Sequence, residues 1–203
     1  MIAIVDYGVG NLFSLNSSFQ TIGAEVTVTS NPEILADADR IILPGVGAFE
    51  DAANKLRGTG LDRAILKEVE NGKPLLGICL GMQMLFEKSY EYGEHKGLGL
   101  IPGSVKPIRD VIPNSLKIPH IGWNPLNLGT PKDPLFQYVN ENDCVYFVHS
   151  YYATDCDKYV IATADYGVPL TAAVRNKNVW GAQFHPEKSG KIGLSILKSF
   201  CEM

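Results

Sequence analysis

Short apolar runs alternate with amphipathic stretches along the first ninety residues of the chain. The runs are brief and rich in β-branched residues, as is typical of buried strands, and they lie at Ile2–Val5, 25–29, Arg40–Leu43 and Leu75–Ile78. The stretches between them carry apolar residues at helical spacing and predict helices over 11–22, 48–57, 61–71 and 80–88. Strands that alternate with helices predict an α/β fold with an open, mostly parallel, twisted sheet and helices on both faces.

The second half of the chain has a different pattern, with many short strands and turn residues between them. Strands are predicted at 103–108, 117–121, 144–148, 158–165, 170–175 and 179–184. These strands extend the sheet or add antiparallel pieces to it, and a last helix is predicted over 190–202. The Pro- and Asn-rich region 112–134 is interpreted as surface loops. Because no linker or repeat divides the sequence, residues 1–203 are expected to form one domain.

Composition and charge exclude several classes of protein. The chain has 203 residues, of which 45% are apolar, and a net charge of -4. No basic excess is present to attract nucleic acid, and no run of roughly 18 apolar residues is present to span a membrane. The four cysteines at positions 79, 144, 156 and 201 contain no C-x-x-C pair. We therefore expect a cytoplasmic protein with reduced thiols.

Cys79 is the candidate nucleophile. It lies in the sequence Gly-Ile-Cys-Leu-Gly, directly after an apolar strand and directly before a predicted helix. This context resembles a nucleophile elbow, in which a sharp strand-to-helix turn exposes the central side chain and requires small flanking residues. Gly77 and Gly81 meet that requirement. A cysteine buried between two packing glycines is the other interpretation of the same pattern.

A candidate base and its orienting group lie near the C-terminus. A predicted strand leads to His185, and Glu187 follows two residues later. In an extended segment such residues project to the same side, so the carboxylate is able to hold one ring nitrogen while the other acts on a nucleophile. A surface ion pair is the alternative interpretation. The predicted catalytic triad is Cys79, His185 and Glu187.

Attack on a carboxamide also requires donors for a developing oxyanion. We expect the amide of Leu80, together with the strand-end loop that contains Val46 and Gly47, to supply them. The four histidines show no metal-binding spacing, and neither a phosphate-binding loop nor a dinucleotide fingerprint is present. The sequence therefore predicts no metal and no cofactor.

Gly77-Ile-Cys-Leu-Gly-Met-Gln83 together with Phe184-His-Pro-Glu187 resembles the class I (triad) glutamine amidotransferases. Within that family, the glutaminase subunits of imidazole glycerol phosphate synthase are the finer match. The blocks that carry it are Asp6-Tyr-Gly-x-Gly-Asn-Leu12, Leu43-Pro-Gly-Val-Gly-Ala-Phe49, Gly97-Leu-Gly-Leu-Ile101, His120-Ile-Gly-Trp-Asn124, Phe147-Val-His-Ser-Tyr151 and His185-Pro-Glu-Lys-Ser189.

The resemblance implies a flavodoxin-like fold and a glutaminase that makes glutamate and ammonia for a partner. It implies that glutamine is held by Gly47, Gln83, Glu91, Ser150 and Tyr151. It names the partner as a (β/α)₈ cyclase subunit in a heterodimer, which uses ammonia to convert the intermediate PRFAR to imidazole glycerol phosphate and AICAR in histidine biosynthesis. Matching positions imply that Asn11, Trp123, Tyr146 and Lys188 face that partner.

Three alternatives remain open from the sequence. The chain could be a stand-alone cysteine hydrolase on the same fold, a catalytically inactive binding module, or a glutaminase subunit that serves another synthase. Substrate profiling, labelling of Cys79 and identification of the bound synthase, respectively, distinguish them.

Overall fold

The first half of the chain supplies four of the eight strands of a central sheet in the computed structural model, which describes residues 1–203. In chain order, this half contains β1 (Ile2–Val5), α1 (Leu12–Thr21), β2 (Val26–Thr29), α2 (Pro32–Asp37), β3 (Arg40–Leu43), α3 (Phe49–Gly58), α4 (Leu61–Glu70), β4 (Leu75–Ile78) and α5 (Leu80–Met84). Strands β1, β3 and β4 are buried along almost their whole length. This burial agrees with their continuous apolar sequence, because a parallel sheet covered on both faces leaves no polar side.

The second half of the chain is dominated by strands. They are β5 (Phe86–Ser89), β6 (His95–Lys96), β7 (Ile101–Pro107), β8 (His120–Pro125), β9 (Asn127–Leu128), β10 (Cys144–His149), β11 (Tyr151–Thr154), β12 (Val160–Asp165), β13 (Pro169–Asn176) and β14 (Val179–Ala182). Helix α6 (Gly190–Glu202) ends the chain. None of the six α-helices is both long enough and apolar enough to cross a membrane.

The central sheet has eight strands in the order β2-β1-β3-β4-β14-β13-β12-β9. The five strands from β2 to β14 are parallel, and β13, β12 and β9 extend the sheet in antiparallel fashion. Strands β8 and β10 form a separate antiparallel pair, and β11-β7-β5-β6 form a four-stranded sheet. The predicted mostly parallel α/β sheet with added antiparallel strands is confirmed.

Alternate residues of the central strands enter two apolar cores on opposite faces of the sheet. On β3, Ile41 and Leu43 join the core that contains Phe49 of α3 and Ile65 of α4, whereas Ile42 joins the core that contains Phe19 of α1 and Phe200 of α6. The two-residue period of a strand therefore places one apolar layer under each set of helices. The central strands are held rigidly by both layers.

Two predicted elements require correction. The helix predicted over 80–88 ends at Met84, and Phe86–Ser89 forms a strand instead. Pairing of β5 with β7 and β6 decides this, since tertiary context overrides a weak helical propensity. The strand predicted at 117–121 lies at His120–Pro125, so region 112–134 is only partly loop. Helix α2, with Asn31 as its N-cap and Pro32 as its first residue, was not predicted.

Candidate active site

A cleft of about 400 Å³ opens at the carboxyl end of the parallel strands. Three segments that follow β3, β4 and β14 meet there, because the carboxyl ends of parallel strands lie at the same edge of a sheet. The cleft is lined by Val46, Gly47, Cys79, Leu80, Gln83, Glu91, Pro119, Val148, His149, Ser150, Tyr151, His185 and Lys188. Every residue predicted for the oxyanion hole or for glutamine binding is among them.

Cys79 lies at a sharp turn between β4 and α5. Its φ of 55° is in the left-handed region that non-glycine residues rarely adopt. The turn is held by the Cys79 amide, which donates to the carbonyl of Ala182 at 2.7 Å. A Cβ atom on Gly77 would lie 2.7 Å from the carbonyl oxygen of Gly81, and one on Gly81 would collide with the carbonyl of Leu43. The flanking glycines therefore permit backbone to pack against backbone and hold the strained turn.

His185 and Glu187 form a buried pair in the segment after β14. The ring Nδ1 and a Glu187 carboxylate oxygen are 2.8 Å apart, and the two side chains are 3% and 1% exposed. The Nε2 of His185 is buried and has no hydrogen-bond partner. The segment is anchored by the Ser189 hydroxyl, which donates to the His185 carbonyl at 2.6 Å. One ring nitrogen is thus fixed by a carboxylate and the other is left available.

The electrostatic environment holds a proton on His185. Burial lowers the pKa of the ring, but the interactions with Cys79 and Glu187 outweigh that effect and raise the pKa to about 9, from an ordinary value of 6.5. The ring is therefore mostly positively charged at neutral pH. An imidazolium beside a cysteine stabilises the thiolate, which is the reactive form of the sulfur.

The predicted oxyanion donors line the cleft, but the Leu80 amide is already occupied. It donates to the carbonyl of Gly45 at 3.3 Å. The same loop is held on its other side by the buried Tyr7 hydroxyl, which donates to the carbonyl of Pro44 at 2.7 Å. Gly47 has a φ of 92°, and Val46 is exposed. The Leu80 amide is free to bind an oxyanion only after the Gly45 carbonyl moves away.

Gln83 and Glu91 both line the cleft. The Gln83 side-chain nitrogen donates to the Tyr151 carbonyl at 3.2 Å and to Gln183 Oε1 at 3.0 Å. Glu91 accepts from the Phe49 amide, at the start of α3, at 2.6 Å. Partial burial raises the pKa of Glu91 above its usual value and outweighs the opposing effect of that amide. Both hydrogens of the Gln83 amide are engaged, so its oxygen is the atom left to meet a ligand.

The four residues predicted to face a partner lie in different settings. Trp123 on β8 is 55% exposed and packs edge-on against Tyr146 of β10, with 6.1 Å between ring centroids. The Lys188 ammonium lies 5.9 Å from the Tyr146 ring centroid and also lines the cleft. Asn11 is the N-cap residue of α1, which packs against the turn Pro186–Lys188. The aromatic pair is thus continuous with the cleft through Lys188.

Two polar side chains of the site were not predicted from the sequence. Gln183 is completely buried, and its side-chain nitrogen donates to the Cys79 sulfur at 3.8 Å. His149 lines the cleft, and burial lowers its pKa to about 3, so its ring is neutral. Gln183 lies two residues before His185, and that spacing in a predicted strand is the signal that would have suggested one shared side, although the strand itself ends at Ala182. No comparable signal marks His149.

Comparison with known proteins agrees with this geometry. The family model described as "Glutamine amidotransferase class-I" matches residues 3–202. The chain belongs to the class-I glutamine amidotransferase family. Its relatives in that family include proteins named imidazole glycerol phosphate synthase subunit HisH. The one from Syntrophotalea carbinolica is 48% identical over 100% of both chains, and the one from Lactococcus lactis is 50% identical over 99% of this chain and 98% of the relative.

Two solved structures share the fold of this chain. One described as a crystal structure of glutamine amidotransferase has a TM-score of 0.77 at 20% identity and covers 100% of this chain and 98% of its own. The structure of PurLQS from Thermotoga maritima also has a TM-score of 0.77, at 22% identity, and covers 99% of this chain and 97% of its own. At such low identity these likenesses show the fold alone.

The described residues contain no group of three or more His, Cys, Asp or Glu side chains placed to hold a metal ion.

Proposed function

We propose that residues 1–203 form one glutaminase domain, the glutaminase subunit of imidazole glycerol phosphate synthase. It hydrolyses L-glutamine to glutamate and ammonia and passes the ammonia to a cyclase subunit, which converts PRFAR to imidazole glycerol phosphate and AICAR. The observation that carries the proposal is the 2.8 Å contact that Glu187 makes with His185, a residue of the cleft that holds the elbow cysteine Cys79. Relatives of that name match this chain over nearly its whole length, and this supports the choice of synthase. Four free cysteines suit a reducing cytoplasm.

The chemistry proceeds in two halves. The Cys79 thiolate attacks the side-chain amide carbon of glutamine and forms a C–S bond, and the carbonyl oxygen becomes an oxyanion. The intermediate collapses when the C–N bond breaks and the His185 Nε2–H proton passes to the leaving nitrogen, so that ammonia departs and a γ-glutamyl thioester remains. Water then attacks the thioester, gives a proton to His185, and releases glutamate and the thiolate. Glu187 holds the ring in one orientation throughout.

The amino-acid end of glutamine carries one ammonium and one carboxylate. Glu91 and the free oxygen of Gln83 offer negative charge and an acceptor to the ammonium. Ser150, Tyr151 and Gly47 form another part of the cleft wall. These groups place the side-chain amide of the substrate near Cys79.

In this proposal the loop that contains Val46 and Gly47 must rearrange before the oxyanion hole forms. The Leu80 amide donates to Gly45 and is not free for substrate. Rotation of the loop that contains Val46 and Gly47 removes the Gly45 carbonyl and presents amides to the oxyanion. Gly47 permits this rotation because a glycine adopts positive and negative φ with similar ease.

The function is tested by reconstitution with the cyclase subunit. We expect glutamine to drive formation of imidazole glycerol phosphate from PRFAR in the complex, with one glutamate for each product molecule. A pull-down that recovers a different synthase, with no turnover of PRFAR, would assign the chain to a sister pathway. Ammonia release from peptides or other amides without any partner would favour the stand-alone hydrolase.

The pH dependence of glutamine hydrolysis is expected to follow His185. In the complex, kcat/KM should fall as the pH rises above about 9, because the ring then loses the proton that it donates to ammonia. Glu187→Gln removes one of the two groups that raise this pKa, so the alkaline limb should move to lower pH. Glutamate formation measured across the pH range checks both statements. If the alkaline limb of kcat/KM lies at the same pH in both proteins, the role of Glu187 is contradicted.

The same proton has a consequence for folding. The folded-state pKa of His185 lies above the ordinary value of 6.5, so the folded protein binds the proton more tightly than the unfolded chain does. Its contribution to the free energy of unfolding is fully present below about pH 6.5 and is lost as the pH rises through about 9. The stability difference between wild type and Glu187→Gln should therefore shrink over that interval.

Partner docking is expected to depend on Trp123. Glutaminase activity should be very low in the isolated chain and should rise when the cyclase and its ligand are added. Trp123→Ala removes an exposed aromatic anchor and should weaken cyclase binding by about 2 kcal/mol, roughly thirtyfold in Kd. Calorimetric titration measures the change.

The matched control for this substitution is Tyr138→Ala. Tyr138 is a comparably exposed aromatic at 47%, and its hydroxyl donates to Glu202 at the end of α6. Helix α6 begins beside the site, so its far end lies roughly 20 Å away. Tyr138→Ala should bind the cyclase like wild type. Equal losses of binding in both variants would refute the docking surface, and full activity in the isolated chain would count against activation by the partner.

A further inference from the structure

A line of hydrogen bonds runs from the backbone of β11 to the sulfur of Cys79. The Gln83 side-chain nitrogen donates to the Tyr151 carbonyl at 3.2 Å and to Gln183 Oε1 at 3.0 Å. The Gln183 side-chain nitrogen in turn donates to the Cys79 sulfur at 3.8 Å. Gln83 and Gln183 are 5% and 0% exposed, so water does not compete for these bonds. The triad chemistry uses neither of these two amides.

The direction of every bond in this line is fixed by the Tyr151 carbonyl. A carbonyl oxygen only accepts, so Gln83 must present its NH2 group to it. The second hydrogen of that NH2 group points to Gln183, which must therefore present its oxygen. The remaining end of Gln183, its own NH2 group, is then directed at the sulfur. A flip of either amide would place two acceptors or two donors against each other in a buried site.

The Tyr151 carbonyl is itself held in place. His149 Nδ1 lies 2.9 Å from it, and the neutral ring carries its single proton on Nδ1 to make that bond. His149 Nε2 then accepts from His120 Nδ1 at 3.0 Å. The carbonyl at the origin of the line is thus fixed by a second donor besides Gln83.

The position of Gln183 follows from the strand that delivers His185. The two residues follow the end of β14 at Ala182, and both side chains interact with Cys79, whereas Phe184 between them is buried in the apolar core. The backbone N–H of Gln183 donates to the Ala172 carbonyl at 2.8 Å, which fixes this part of the chain beside β13. One segment thus brings two groups to Cys79: a ring that moves protons, and an amide that carries no charge and does not titrate.

We propose that Gln183 is a further catalytic residue, whose side-chain N–H donates to the Cys79 sulfur, stabilises the thiolate and fixes the direction from which it attacks. A donor stabilises an anionic acceptor more than a neutral one, so the bond favours S⁻ over S–H. When the sulfur forms a bond to carbon it loses its negative charge, and the hydrogen bond from Gln183 becomes weaker. This inference rests on the proposed role of Cys79 as the nucleophile.

The test compares Gln183→Glu with Gln183→Met in the complex with the cyclase. The Glu variant has nearly the same shape, but it places a carboxylate oxygen where the N–H donor was. A like charge beside the sulfur should lower the rate of Cys79 alkylation by iodoacetamide at about pH 7 by about tenfold. The Met variant loses the donor without adding charge and should lose about threefold. At high pH both rates should approach that of wild type, and this convergence is not expected from a packing defect.

Alkylation is followed by mass spectrometry of the peptide that contains Cys79, since Cys144 is exposed and Cys201 is partly exposed. The titratable groups near the sulfur are His185, Tyr7, His149, Glu91 and Lys188. They are common to all three proteins, and Gln183→Met adds no titratable group, so its comparison with wild type isolates the loss of the donor. Unchanged alkylation profiles in both variants would overturn the proposal.

A measurement on the wild-type protein keeps the proposal testable if both variants fail to fold. In the ¹⁵N-labelled complex, the Gln183 side-chain NH2 resonances should shift when Cys79 is alkylated, while a distant amide such as Gln137 should not. No shift at Gln183 would overturn the inference and leave the nucleophile intact. By contrast, a wild-type Cys79 that alkylates like an ordinary thiol and turns over no glutamine would refute the proposed function itself.

Discussion

Replacement of Cys79 by alanine is expected to abolish ammonia release from glutamine while glutamine still binds in the cleft. No thioester forms without the sulfur, and loss of a nucleophile typically costs at least about 10⁴-fold in turnover. The cleft wall is otherwise unchanged, because Gln83, Glu91 and the Ser150-Tyr151 backbone remain. Alanine keeps the Cβ atom of cysteine, so the strained turn is not altered. Glutamate formation measures turnover, and calorimetry measures glutamine binding.

Two controls separate loss of chemistry from loss of structure. The complex of the alanine variant with the cyclase should still convert PRFAR when ammonium salt replaces glutamine, since the cyclase needs only ammonia. Cys144→Ala removes an exposed free thiol on β10, outside the cleft, and should retain full glutaminase activity. Undiminished turnover in Cys79→Ala would refute the triad, and loss in both variants would indicate a general defect.

The central part of the fold is predictable because it is encoded locally. Buried parallel strands have continuous apolar sequence, and Ile2–Val5, Arg40–Leu43 and Leu75–Ile78 have the predicted bounds. Strand β5 is different, since Phe86–Ser89 contains residues that suit a helix and becomes a strand through pairing with β6 and β7. Its partners lie later in the chain, and no local pattern specifies them. The error in this element is therefore one of tertiary context.

The candidate site shows the same division. The cysteine between two glycines and the His-Pro-Glu segment are local patterns, and the structure places them in or beside one cleft. The bond from Leu80 to Gly45 and the bond from Gln183 to Cys79 join residues far apart in sequence. They depend on how one loop and two buried amides orient after the strands have packed. Such orientations are set by tertiary contacts, so residue spacing alone does not reveal them.

The closeness of β3 to the elbow leads to the second large expected effect, on stability. We expect Gly81→Ala to destabilise the protein by about 3 kcal/mol or more, because a Cβ atom there would collide with the Leu43 carbonyl, and a buried backbone has little room to shift. For a chain of this size that loss lowers the melting temperature by roughly 6–12 °C. Thermal unfolding followed by circular dichroism measures it. The displaced turn should also reduce alkylation of Cys79, since the sulfur moves with it.

Gly58→Ala is the matched control for the elbow glycine. Gly58 is the last residue of α3, and an added Cβ atom there meets nothing within 4 Å. Alanine favours a helix over glycine by about 1 kcal/mol or less at a helix end, so this variant should unfold at or slightly above the wild-type temperature. The two substitutions make the same chemical change, and only the surroundings differ. If Gly81→Ala unfolds at the same temperature as wild type, the elbow backbone does not pack as closely against β3 as the geometry requires. The strained turn at Cys79 would then need another explanation.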